Sequence, residues 1–375
     1  MTAPAKAVVL ALLCVVGARA CATDRDCSLS GVCDAGVCVC DAGWRGAACS
    51  ELNLAPADPL DGVLAWPTSS WGGVAVRDPD DAALFHFFYS RFVGGCGLLC
   101  WVNASECVRA TGPSAAGPFT DAAVVAGVFC HNPTVRRAAD GTFVLFHIGT
   151  DDPGRVPACS SASYTCASNQ PPPLPTDGRA FLTLMSAPHP AGPWTPLGRA
   201  AFTGNGSGWL GWVSNPSVHF FANGSALLAF RAKVMPGGGA KTPPVGTEVI
   251  GLASAPSWRA PFRLLVGAPI VVAHEDPHVW ADARGNLHLL SHGATNLWFT
   301  TPDQLGDWTL AATPAYNFSF AWANGSQAFA LRRERPQLFF SDDGRMTPLA
   351  FTTGVTLHGA PSPNLALTLA QRVLP

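Results

Sequence analysis

The sequence predicts an all-β chain: a five-bladed β-propeller preceded by a small disulfide-rich module. Two observations carry this reading. Residues 21 to 49, CATDRDCSLSGVCDAGVCVCDAGWRGAAC, hold six cysteines in a stretch too short to bury a stabilising core, so covalent bridges must hold it folded. Further on, the runs LFHFFYS (84 to 90), FVLFHIG (143 to 149), ALLAFRA (226 to 232), LHLLSHG (287 to 293) and PLAFTTGV (348 to 355) are short, aromatic and β-branched. They read as strands, and each follows a similar lead.

The chain opens with MTAPAKAVVLALLCVVGARA, in which one Lys precedes an apolar run from Ala7 to Gly17 and a small-x-small ending at Ala20. Residues 1 to 20 therefore read as a signal peptide, because the run is about half the ~20 residues that a spanning helix needs. No later stretch is long and apolar enough to span, so the expected location is outside the cell or in the secretory lumen. Of the thirteen cysteines Cys14 leaves with the signal, and the remaining even number suits an oxidising compartment better than cytosolic zinc binding. Sequons at Asn103, Asn205, Asn223, Asn317 and Asn324 suit the same route. A net charge of −2 with only 23 Lys and Arg leaves no electrostatic footprint for nucleic acid or an acidic membrane.

Within 21 to 50, the ending C-x-C-x-x-G-W-x-G-x-x-C is formed by Cys38, Cys40, Gly43, Trp44, Gly46 and Cys49. This stretch resembles an EGF-like domain. Spacing alone leaves fifteen pairings open; the resemblance implies Cys21 with Cys33, Cys27 with Cys38 and Cys40 with Cys49. Such a module serves as a spacer or as a contact surface for a protein partner. Asp24 and Asp26 read as solvated charges, since no convincing calcium signature surrounds them.

Residues 51 to 375 repeat one phrase. Aligned on Pro79, Pro133, Pro216, Pro277 and Pro336, a polar residue, a proline, a short strand, an Asp/Asn-Gly or shorter turn and a second strand recur. This is hairpin chemistry. A second phrase, exemplified by SAPHPAGPW (186 to 194) and TTPDQLGDW (300 to 308), interleaves with it. A repeat of this size, offering four short antiparallel strands per unit, points to a propeller; a β-sandwich gives no reason for the recurrence. The Pro- and Ser-rich segment 150 to 178 reads as a surface loop. Six cysteines, Cys96, Cys100, Cys107, Cys130, Cys159 and Cys166, are left with open pairing.

With its Asp78-Pro79, Asn132-Pro133, Asn215-Pro216 and Asp276-Pro277 leads and the RERPQLFFSDDG stretch, this region resembles the propeller shared by arabinanases, levansucrases and invertases. The resemblance implies a funnel on the propeller axis where Asp78, Asn132, Asn215, Asp276 and Arg335 converge with His131, Glu275 and Glu334. It places a base or nucleophile Asp on blade one, a tuning Asp on blade two and a Glu acid on blade three. Asp78 matches the first; Asn132 and Asn215 stand at the others and cannot transfer the proton. Glycoside cleavage needs two carboxyl groups across about 5 to 9.5 Å, so activity would draw on Asp78 with Glu275 or Asp276. Trp71, His131, Asn132, Asn215, His274, Glu334 and Arg335 would bind the sugar. An Asp before Pro is equally suited to anchoring a strand through backbone N–H groups.

The expected function is thus that of a secreted glycoside hydrolase-like protein acting on carbohydrate. The alternative is a glycan-binding or adhesion protein with a degenerate hydrolase site. His147, His288 and His292 lack the spacing of a metal site, Trp194, Trp258, Trp280, Trp298 and Trp308 read as core between blades, and the residues specify no cofactor.

Overall fold

The computed structural model describes residues 21–64, 67–150, 158–159, 164–166, 182–204, 209–234, 243–267 and 269–375. The proposed signal peptide, Asn205 and most of the 150 to 178 segment lie outside the described residues.

Five sheets, antiparallel except for a short parallel edge pair in blade three, surround an axis. From the inside outward, blade one is Ser70–Arg77, Phe85–Phe92, Ser105–Gly112 and Thr120–Ala126, and blade two is Cys130–Arg137, Phe143–Gly149, Leu182–Ala187 and Thr195–Arg199. Blade three contains Gly211–Phe220, Ala226–Lys233, Glu248–Ala255 and Phe262–Leu264, extended by Phe202–Thr203 and Val271–Val272. Blade four is Glu275–Ala281, Leu287–His292, Asn296–Thr300 and Thr309–Pro314. Blade five begins with the long strand Gln327–Phe340, whose first part pairs with Ser319–Ala321, and continues through Pro348–Leu357 and Leu367–Arg372. Its outer edge is closed by the segment after the cysteine-rich module: Leu54 bridges Val373 and Val63 bridges Thr368, both antiparallel. Both halves of the chain therefore seal the ring.

The core lies in the seams. Val144, Phe146, Val218 and Phe230 pack between blades two and three, and Leu227, Ile250, Leu252 and Leu289 pack between three and four. The five tryptophans assigned to the interior each join such a cluster. Burying apolar faces between neighbouring sheets gives each blade a partner on both sides, as a ring of sheets requires.

In the EGF-like module Cys21 pairs with Cys33, Cys27 with Cys38 and Cys40 with Cys49. Asp24 and Asp26 are not merely solvated: Asp24 accepts the Cys33 N–H at 2.8 Å, and Asp26 accepts those of Ala22 and Thr23 at 2.9 Å. Nor is the module a loose spacer. Trp44 stacks on Trp280 of blade four with ring centroids 6.3 Å apart, and the Arg284 guanidinium donates to both the Asp41 carboxylate and the Leu29 carbonyl. The remaining six cysteines pair as Cys96–Cys159, Cys100–Cys166 and Cys107–Cys130. The first two pin the 94 to 104 loop, with its short helix Trp101–Ala104, above one end of the axis.

Candidate functional site: an axial funnel

Each blade's innermost pairing carries a bulge near the same end of the axis. The register against the second strand slips between Trp71 and Val74, between Ser214 and Ser217, between Glu275 and His278 and between Glu334 and Gln337; in blade two the slip lies on the second strand's side, between Phe146 and Ile148. Equivalent positions of these bulges have positive φ: Gly72 (57°), Asn132 (51°), Asn215 (49°), Asp276 (54°) and Arg335 (56°), with Gly73 (138°) following in blade one. Asn and Asp tolerate this region better than most side chains, whereas Arg335 adopts it at a cost. The bulge re-aims its side chain toward the axis, and the proline after it removes an N–H that the broken ladder does not use.

This register corrects the alignment of blade one. Asp78 does not join the other four residues. Gly72 does, with Gly73 in the place of proline, and Asp78 follows the far end of the same strand. There it closes the hairpin turn, accepting the N–H groups of Asp80 and Asp81 at 2.8 and 2.9 Å and a bond from His86 Nε2 at 2.7 Å. Burial opposes ionisation of Asp78, but His86 and the two backbone donors hold its pKa down at about 2. His86 Nδ1 accepts from Arg109, and His189, whose Nε2 lies 3.2 Å from Asp78, accepts the Ala191 N–H on Nδ1. Both imidazoles thus carry their proton on Nε2, toward the carboxylate, a pattern of anchoring rather than of metal ligation or base catalysis.

The funnel at the bulged end encloses about 250 Å³. Trp71, His131, Asn132, Asn215, Glu275, Asp276 and Glu334 line it; His274 does not, and instead bonds Ser291 Oγ at 2.9 Å with its ring edge-on to Trp298. Across the floor runs a relay of amides. Asn132 Nδ2 donates to Asn215 Oδ1 at 3.5 Å, and Asn215 Nδ2 donates to Asp276 Oδ1 at 2.7 Å. Arg335, 1% exposed, crosses the same floor: Nη2 donates to the carbonyls of Asn132 (3.2 Å) and Pro216 (2.7 Å), and Nη1 lies 3.8 Å from Asp276 Oδ1. A Cβ on Gly72 would meet Arg335 Cγ at 2.6 Å, so the arginine fills the space that a blade-one side chain would occupy.

Residues missed by the sequence reading complete the wall. His292 stands opposite Glu275 in the ladder and bridges two carboxylates, with Nδ1 3.2 Å from Glu275 and Nε2 3.6 Å from Glu334. Burial alone would lower its pKa, but the Glu275 bond and the Glu334 and Asp276 charges raise it to about 9. Arg231 reaches Glu275 at 3.6 Å and also pairs with Glu248. Burial and the neighbouring Glu275 push Asp276 up to about 7, against the pull of Arg335. Burial raises Glu334, whereas Glu275 is lowered because His292 and Arg231 outweigh its burial. His131, beneath Trp101, is kept neutral by burial and by Arg335, with its pKa near 3.

One signal could have set the register. The residue at the bulge precedes the residue before the turn glycine by a constant eight positions: 132 to 140, 215 to 223, 276 to 284 and 335 to 343. Counting back equally from Asp80 in the first turn lands on Gly72, not Asp78. Nothing comparable marks Trp101, whose place depends on disulfides.

Fold and site together define the class: a five-bladed propeller with an axial funnel, joined to an EGF-like module. Residues 23–52 match the Teneurin-like EGF domain. Among solved structures, a family 117 glycoside hydrolase from the marine bacterium Zobellia galactanivorans is 13% identical and aligns over 87% of this chain and 90% of its own, with a TM-score of 0.55. A glycosyl hydrolase from Bacteroides ovatus is 11% identical over 86% of this chain and 91% of its own, with a TM-score of 0.50. At these identities the likeness shows the fold alone. No curated protein matches the chain.

Proposed function

We propose that the chain is a secreted protein whose axial funnel binds carbohydrate without hydrolysing it. The observation that carries this reading is Arg335. Its side chain occupies the axial space beside Gly72, and the three bulge positions of blades one to three hold Gly72, Asn132 and Asn215. Among the described residues no carboxylate stands at those bulge positions, and Glu248, which reaches the funnel from blade three, is bound to Arg231, so the acid and base of a two-carboxylate hydrolysis lack an opposed pair on the axis. What remains suits recognition of sugar hydroxyls: amides, ionised side chains and the faces of Trp71 and Trp101. The six disulfides support an oxidising compartment, and exposed Asn223, Asn317 and Asn324 support glycosylation. Val37 and Val39, 51% and 52% exposed on the EGF-like module, offer a face for a protein partner.

One observation favours the second reading, hydrolysis by relocated acids. Glu275, Asp276 and Glu334 have oxygens within 4.8 Å of one another and of His292, with the pKa of Asp276 raised to about 7 and that of Glu275 lowered. Environments that push two carboxyl pKa values apart can supply an acid and a nucleophile. A glycan array run beside a chromogenic glycoside panel separates the two. The expected result is saturable binding to a glycan subset, weakened by Glu275→Gln, with no turnover. Turnover abolished by Glu275→Gln while binding persists would establish the hydrolase; absence of any glycan binding would end both.

A further inference from the structure

A larger cavity than the funnel lies at the other end of the axis. It encloses about 670 Å³, within the range of sites for small organic molecules. All five inner strands contribute to it as they leave the axis. The wall is mainly apolar: Phe220, Phe339 and Phe340 are each only partly buried there, and Trp280 closes one side.

Among the described residues two cations of this wall have no acid within reach: Arg137, which is exposed and lies over the Phe143 ring, and Arg136, which is set deeper. Arg136 donates to the Val135 carbonyl at 2.9 Å and to Gln337 Oε1 at 3.4 Å, and among the described residues no carboxylate lies within ion-pair distance of it. The acids at the rim are engaged elsewhere or stand in water. Asp78 is held by His86 and its turn, Asp342 pairs with Arg77 at 2.9 Å, and Asp80 is almost fully solvated. Burial and Arg335 lower the Arg136 pKa to about 10, which leaves it charged at neutral pH, and burial with Arg136 keeps His219 neutral, near 4. A guanidinium drawn out of water with unused N–H groups is costly unless an anion meets it. Its planar fork matches a carboxylate through two parallel bonds.

We propose that this back mouth is a second ligand site, for a small organic acid whose carboxylate pairs with Arg136 while its apolar body packs on Phe220, Phe339 and Phe340. A free inorganic anion would leave the aromatic wall unused, and an uncharged apolar compound would leave the guanidinium unpaired.

The test is calorimetric titration of the full chain with 2-naphthoate and with its uncharged analogue 2-naphthamide. The expected result is one saturable site for the acid, roughly tenfold or more weaker for the amide and for the acid on Arg136→Gln. Arg136→Lys should retain part of the affinity, and Phe340→Ala should weaken binding with the cation intact. Equal affinity for acid and amide, no saturable heat up to about 1 mM, or full affinity in folded Arg136→Gln would overturn the proposal. Should Arg136→Gln fail to fold, the amide comparison and Phe340→Ala decide it.

Discussion

The two ends of the channel are made by the same five strands and hold opposite chemistry. At the front every strand bulges, the bulges of blades two to five each turn a side chain inward, and the charges are mutually satisfied: Glu275 with His292 and Arg231, Asp276 with Asn215 and Arg335. At the back the strands end in ordinary hairpin turns around an apolar wall, and among the described residues the buried guanidinium of Arg136 has no acid. The contrast is sharpest in one dipeptide. Asp276-Pro277 sits inside a bulge and faces the axis, whereas Asp78-Pro79 sits in a turn and faces its own backbone. Identical letters acquire different work from the register of the strand that carries them.

The comparison breaks most severely if the front can be rebuilt as a hydrolase by restoring the missing acid. Gly72→Asp should cost about 4 kcal/mol, because the new Cβ meets Arg335 at a backbone angle that side chains rarely adopt. Chemical denaturation measures the loss; a stable variant that turns over glycosides would show that Arg335 does not block the position. Next in size, Arg335→Met should cost about 3 kcal/mol at pH 8 by stranding the buried Asp276 carboxylate. The same variant should lose less at pH 5, where Asp276, with its folded pKa near 7, is neutral. An equal loss at both pH values would mean that the arginine acts through packing alone.

A smaller effect separates the ends by titration. His292 has its folded pKa raised to about 9, so its stabilising contribution is complete below about pH 6.5 and disappears as pH rises through 9. A decline on the order of 2 kcal/mol between those limits is expected, and His292→Asn should flatten it. At the back the sign reverses. Asp78, held at about 2, stabilises the fold above the unfolded carboxylate range and stops doing so as pH falls through 2. Asp78→Asn should therefore cost about 2 kcal/mol near neutrality and leave glycan binding at the front unchanged. A loss of that binding would mean the two ends are coupled.

Much of the architecture was readable because it repeats. Five proline-led hairpins and six crowded cysteines announce local devices, and local devices leave patterns in sequence. The propeller and the seam tryptophans belong to this readable part, whereas the pairing of the module's three bridges came from its resemblance to an EGF-like domain. The site was half readable: Asn132, Asn215, Asp276 and Arg335 converge as the leads suggest, with Glu275 and Glu334 beside them. Asp78 was misplaced because proline served as the alignment mark in a blade whose bulge is Gly72-Gly73. His292 and Arg231 enter from second strands, where only cross-strand register shows which residue faces Glu275 or Ser214. Leu99 and Trp101 reach the funnel from a loop positioned by the Cys96–Cys159 and Cys100–Cys166 bridges, contacts between residues far apart in the chain.

The stacking of Trp44 on Trp280 has a geometric consequence. Trp280 also forms part of the back wall, so the EGF-like module and that opening share one rigid face. A macromolecule gripping the module would be presented to the rear of the ring and held there at fixed orientation. The opposite entrance, where glycan binding is proposed, faces away from that contact.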